Sequence, residues 1–219
     1  MKPNFEKAAI SATETLIRHR VSFAPVAPLP ILKSMPNVIV LSYAEMAESM
    51  GIDRSSAISI FGNENHDAVT NLKLVGNKLR YIVSYNQLLP IYLVQRALAR
   101  ELAHIVLAHD GTRPQDVRYQ EAICFAQHFL CPRALLRGLE EAGVQLTVEV
   151  VGNITGCYER CLAGMKHTPG VRVPAALNRQ VKDQFAAYIA NFADVQNLLK
   201  SDDDSMIANF GTFMDGYEE

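Results

Sequence analysis

Glu101 and His104 stand three residues apart in the run Arg100-Glu101-Leu102-Ala103-His104. That is the spacing of the last two ionisable positions of H-E-x-x-H. In this helical motif two histidines one turn apart reach a single tetrahedral zinc, and the glutamate between them takes a proton from the zinc-bound water. Arg100 occupies the place of the first histidine. A guanidinium has no lone pair to give and stays charged, so it cannot ligate zinc and it opposes a nearby dication. Alone, E-x-x-H is frequent in helices by chance, as a surface glutamate and a half-buried histidine. The setting argues for more. Leu93, Val94, Leu98, Leu102, Ile105 and Val106 make a mostly buried helix. Arg100, Glu101 and His104 form a separate stripe on it, and ionisable groups on a buried helix are normally paired or functional.

The run from Leu98 to His109 (Leu-Ala-Arg-Glu-Leu-Ala-His-Ile-Val-Leu-Ala-His) resembles the active-site helix of the ImmA/IrrE family of zincin-like metallo-endopeptidases. Downstream, Glu121-Ala122-Ile123-Cys124-Phe125-Ala126 and the closing Leu130-Cys131-Pro132 are similar to that family's second segment. The resemblance covers roughly Val69 to Leu136, and more loosely the helical stretch after Leu146. It implies an α+β fold, with a zincin-like metallopeptidase domain, a small mixed or antiparallel sheet and a helix-rich C-terminal part. It further implies that Glu101 is the catalytic base, that His104 and Glu121 are metal ligands, and that the family role is proteolysis of a repressor-type transcriptional regulator. Two positions depart from the pattern: Arg100 replaces the first ligand, and Ile123 stands where the family often has Asn. With only His104 and Glu121 left as protein ligands, zinc binding is expected to be weak or absent and peptidase activity impaired. Two other functions stay open. One is a non-catalytic module, a pseudopeptidase that keeps the peptide groove to grip a protein or peptide partner such as a helix-turn-helix repressor. The other is an active metallopeptidase using a different ligand or metal.

Other residues are weaker candidates. His109 lies five residues beyond His104, about 140° around a continuing helix, which is a poor geometry for rescuing the metal site. The resemblance implies that a histidine there is common without ligating. His128 lies two turns after Glu121, where packing or a solvent position is the simpler reading. His19, His66 and His167 have no motif around them. For Arg100 two fates are open: to fill the vacated ligand volume and pair with Glu121 or Glu101, replacing the charge of the metal, or to reach solvent and pair with nothing.

These residues need a scaffold, and periodicity outlines it. Phe5 to Arg18 has helical spacing, and Pro25, Pro28 and Pro30 suggest an extended connector. Val38 to Leu41 reads as a strand, after which Ser42 caps a helix from Tyr43 to Met50 that stops at Gly51. Ala57 to Phe61 looks like a strand. Val69 to Val75 and Leu79 to Tyr85 flank Gly76-Asn77 as a hairpin, whose edge strand suits an extended peptide. Helices follow from Ile91 to His109, Gln115 to Leu130 and Arg133 to Ala142. From Thr147 the pattern is helix, a Gly152-Asn153 turn, and helix to about Met165, then a long helix from Ala175 to Lys200. Phe185, Tyr188, Ile189 and Phe192 form a core or docking stripe on that last helix. Early strands and late helices favour α+β. The expected division is a metallopeptidase-like domain over 1–145, a helical region over 146–200 packed on it, and an acidic tail over 201–219.

Bulk properties narrow the functional classes. Charge is nearly balanced, at a formal net of -2, and no Lys/Arg run exceeds two residues, so direct nucleic-acid binding is not expected. The first twenty residues lack the pattern of a secretory signal and no stretch is apolar enough to span a membrane, so a cytoplasmic protein is expected. Cys124, Cys131, Cys157 and Cys161 are then expected to be reduced and buried. Their spacing lacks the tight C-x-x-C pairs of a structural zinc site.

Overall fold

The computed structural model describes residues 1–61, 67–156 and 171–199. Helix α1 (Phe5–Arg18) is followed by α2 (Pro28–Ser34), strand β1 (Val38–Ser42), α3 (Tyr43–Met50), α4 (Arg54–Phe61), β2 (Ala68–Val75) and β3 (Lys78–Tyr85). The helices α5 (Ile91–Val106), α6 (Gln115–Leu130), α7 (Arg133–Glu141), α8 (Val148–Thr155) and α9 (Ala175–Gln184) come next. Residues 186–199 form α10. The fold is α+β with a small mixed sheet of order β1-β3-β2. β1 runs parallel to β3, pairing Val38 with Tyr81, and β2 runs antiparallel to β3, pairing Ala68 with Tyr85.

Local chemistry explains the elements that frame the site. Gly76, at φ +60°, makes the two-residue hairpin between β2 and β3. Ser42 and Glu45 form a capping box that starts α3, and Gly51 in the left-handed region ends it. Helix α1 presents Ala8, Ala9 and Ala12, all fully buried, so that α6 can approach closely. From α6, Phe125 and Phe129 fill the centre, stacked with centroids 5.8 Å apart. Helix α5 lies between α6 and the sheet and gives Leu98, Ala99, Leu102 and Ala103 to the same core. Val181, Phe185, Ile189 and Ala193 join that core, as the apolar stripe on the last helices anticipates. The Gln184 side chain donates to the carbonyls of Leu16 and Val21, tying α9 to the end of α1.

Several expected boundaries change. Residues 57–61 are helical, not a strand: the Asp53 carboxylate accepts the Ser56 backbone N–H at 2.9 Å and both neighbouring serine hydroxyls, a cap that overrides the β-branched alternation. The proline-rich connector contains α2, with Pro28 in the first helical turn, where a missing N–H costs nothing. Helix α8 runs through Gly152-Asn153 and ends at Gly156, φ +64°. The expected helix to Met165, with Cys157 and Cys161, lies mostly outside the described residues. The last helix is interrupted at Phe185, although its N–H still reaches Val181 and its carbonyl still accepts from Ile189. Cys124 and Cys131 are both buried; burial first of all pushes the Cys124 thiol up to about 11. Among the described residues no helix is long and apolar enough to cross a membrane.

The weight placed on the α1–α6 contact is testable. Phe129→Ala is expected to cost about 3–5 kcal/mol in urea denaturation. Leu74→Ala, on the hairpin at 71% exposure, should stay within about 0.5 kcal/mol of wild type.

Candidate functional site

The stripe on α5 faces a cleft of about 760 Å³. β2 forms one wall with Ala68, Val69, Thr70 and Leu72. Arg100, Glu101 and His104 form the floor, and the turn after α5 and the start of α6 close the far side with His109, Arg118 and Tyr119. Glu101 is buried at 7% exposure, and its charge also bears on Tyr43.

Helix α5 stops at Val106 rather than His109, and the difference reshapes the site. Ala108 takes φ +51°, a left-handed conformation that β-carbon sterics disfavour. The His109 N–H then returns to the His104 carbonyl at 2.9 Å. This turn carries the His109 ring back over the helix end instead of 140° away. Its Nδ1 lies 2.8 Å from His104 Nδ1 and its Nε2 lies 2.9 Å from Glu121 Oε2. The two imidazoles meet edge to face, with centroids 4.9 Å apart.

Glu121 ends this chain of hydrogen bonds and is 2% exposed. Its Oε1 accepts the backbone N–H of Asn4 at 2.7 Å, and Arg113 Nη1 donates to Oε1 at 3.0 Å and to Oε2 at 2.8 Å. Burial pushes its pKa up, but Asn4, His109 and Arg113 together outweigh burial and hold it below the ordinary value. An ionised carboxylate only accepts, so His109 carries its proton on Nε2. His109 Nδ1 is then a lone pair, which accepts the proton of His104 Nδ1. Burial, then His109, Arg118 and Arg100, bring His104 down to about 4, so its ring is neutral and its Nε2 keeps a free lone pair.

Arg100 meets neither expected fate. Its Nη2 lies 3.4 Å from Asp67 Oδ2, and its guanidinium carbon sits 5.9 Å from the centre of the Tyr119 ring. The cation on Glu121 is Arg113. Nothing in the sequence marked Arg113 or Asp67, because both reach the site through loop geometry; the Asp110-Gly111 turn was the nearest signal. His128 is buried on α6 and does not line the cleft. His19 lies at the end of α1, and His66 and His167 fall outside the described residues.

The arrangement does not fit a zinc ion. His104 and Glu121 are linked only through His109, which uses both ring nitrogens in hydrogen bonds. The two Nδ1 atoms are 2.8 Å apart, whereas tetrahedral zinc holds its nitrogens about 3.3 Å from each other. Both Glu121 oxygens are already engaged. Among the described residues, no group of three or more His, Cys, Asp or Glu is placed to hold a metal. Comparison with known proteins finds no matching family model, no matching curated protein and no matching solved structure.

The buried neutral histidines set a pH dependence. Both His104 and His128 titrate near 4 in the fold, burial being the first cause for each, against the ordinary histidine value of 6.5. Between those values the unfolded chain binds more protons, so stability is greatest above pH 6.5 and falls as pH drops toward 4. At pH 5, unfolding should take up roughly one proton at each histidine. His128→Gln should therefore remove roughly one proton from the slope of unfolding free energy against pH. An unchanged slope in denaturation series from pH 7 to 4.5 would show that His128 is charged in the fold.

Proposed function

We propose that this chain is a non-catalytic relative of the ImmA/IrrE metallopeptidases, a cytoplasmic regulatory module that binds an extended segment of a partner protein. The observation that carries the reading is the occupied carboxylate of Glu121. The residue aligned with the third zinc ligand gives its lone pairs to Arg113, His109 and the Asn4 N–H. Arg100 removes the first ligand, and Arg113 takes over the charge a metal would have neutralised. A buried carboxylate in this state has little to offer an ion unless its present partners leave.

The groove beside it supports the binding role. Asn86 N–H donates to the Asp67 carbonyl, and the strand register continues from that pair. In an antiparallel ladder hydrogen-bonded pairs alternate. Val69, Asn71 and Lys73 therefore point their backbone groups at β3, while Ala68, Thr70, Leu72 and Leu74 point theirs outward. Among the described residues no strand covers that side. A free edge flanking a deep cleft is the geometry on which an extended peptide adds as a further strand. The repressor-type regulator implied by the resemblance is the partner class this reading favours.

One observation favours a second reading, an active enzyme with a substituted ligand. The turn at Ala108 brings His109 beside both His104 and Glu121, so a rearrangement that releases Arg113 would free three donors.

Metal analysis separates the two. The purified wild-type protein should contain far less than stoichiometric zinc. Because Arg113 blocks Glu121, Arg100→His alone should raise zinc affinity less than Arg100→His combined with Arg113→Gln, by about tenfold or more. Stoichiometric zinc in wild type, lost in His109→Ala, would overturn the pseudopeptidase reading in favour of the second one.

A further inference from the structure

Three residues that line the cleft carry polar atoms that the fold itself leaves unused. Arg100 Nε, Arg118 Nε and Thr70 Oγ1 are buried without a hydrogen-bond partner, and all three residues line the cleft. Leaving one buried donor unsatisfied is costly. Three such atoms from three separate elements (β2, α5 and α6) around one cleft indicate something that arrives with acceptors.

The charges around them give its sign. Arg100 has Asp67 as its carboxylate, at a long 3.4 Å, and Arg96 approaches the same oxygen at 4.0 Å. One carboxylate thus serves two guanidiniums. Arg118 forms no ion pair among the described residues, and its charge is felt by both His104 and His109. Two carboxylates also line the cleft. Asp110 is held by the backbone N–H and hydroxyl of Thr112, and Glu101 lies in the floor, where its charge also bears on Tyr43. Two guanidiniums and two carboxylates line the cleft, so the formal charge is even, and it is the Arg118 guanidinium, with no ion pair among the described residues, that is left for an anion.

We propose that Arg100 and Arg118, with the Thr70 hydroxyl, form a carboxylate subsite that reads an acidic side chain in the segment bound along β2. The subsite rests on the peptide-groove reading above and narrows its partner class to extended segments bearing Asp or Glu. A guanidinium presents Nε and Nη donors in a fork that matches a carboxylate. Thr70, whose backbone groups face the free edge, places the subsite within one strand position of the added chain.

The test uses the full chain and fluorescein-labelled, capped strand-forming peptides of alternating Thr and Val. A single Glu is walked along the peptide, and each member has a Gln counterpart. Wild type should prefer Glu over Gln by about tenfold or more at one position, read by fluorescence anisotropy. Arg118→Gln should abolish that preference while keeping the wild-type Tm, because the Arg118 guanidinium supports no bond among the described residues. Arg100→Gln should weaken it as well. Leu72→Pro, which removes an outward N–H and spares the β2–β3 ladder, should weaken Glu and Gln peptides alike. Peptides that bind without a Glu preference, and lose binding in Leu72→Pro, would overturn the subsite and leave the groove reading intact. No binding by any peptide would overturn both. Displacement of every peptide by a mixed-sequence oligonucleotide, with the same Arg118 dependence, would reassign the cations to a polyanion and overturn the peptide subsite.

Discussion

A buried carboxylate must be surrounded by donors, and meeting that demand for Glu121 organises this end of the molecule. The donors come from the backbone just before α1 and from two positions of the loop between α5 and α6, His109 and Arg113. Asn4 is far from the other two in sequence, so the carboxylate acts as a pin between the start of α1 and the α5–α6 end of the fold. It sets where α1 begins on α6, and the close packing of Ala8, Ala9 and Ala12 depends on that position. It also fixes the His109 tautomer, and through it that of His104. Removing the carboxylate would leave the Asn4 N–H, the His109 Nε2–H and the Arg113 guanidinium without their shared acceptor, which costs more than the pair contributes when intact.

The same pin explains how Arg100 is tolerated. On α5 the side chains at 100, 101 and 104 project toward the cleft, while Leu98 and Leu102 project into the core. A guanidinium at 100 therefore needs only an anion at the cleft wall, and Asp67 at the start of β2 supplies it. Because Arg113 already balances Glu121, Arg100 has no carboxylate to rescue. Its charge is spent at the cleft surface, where Tyr119 lies beside it. On the proposed lineage, one arginine takes the place of a ligand and another takes the charge of the ion.

The sequence made the helical face legible and hid the loops. The 3.6-residue period predicted α6 and α7 nearly to the residue and the start of α5, overrunning its end by three, and Gly76-Asn77 marked the hairpin, because burial and turn chemistry act over a few neighbours. The strand over 57–61 failed because a single side-chain cap at Asp53 outweighed an apolar alternation too short to decide between periods. Motif spacing singled out Glu101 and His104 and the resemblance singled out Glu121, and His104 and Glu121 fall in one hydrogen-bonded cluster. His109 was misjudged because the projection assumed a continuing helix, and a positive φ at a non-glycine residue such as Ala108 has no signature in sequence. Arg113 and Asp67 act through loops whose path depends on the packing around them, so no local pattern announced them.

The two arginine roles differ in kind, and that difference connects the site to its use. Arg113 spends its charge on a group that is 2% exposed, so it serves the fold. Arg100 shares a distant carboxylate with Arg96, keeps a buried Nε without a partner, and faces an open cleft together with Arg118, so much of its bonding capacity stays available. A scaffold that needed these cations only for stability would pair them, as it pairs Arg113. Leaving donors idle beside a free strand edge is destabilising for the isolated chain and favourable only when something binds. The cost in the free state is the source of selectivity in the bound state: a segment that brings an acceptor satisfies the buried donors, and one that does not leaves them unsatisfied a second time.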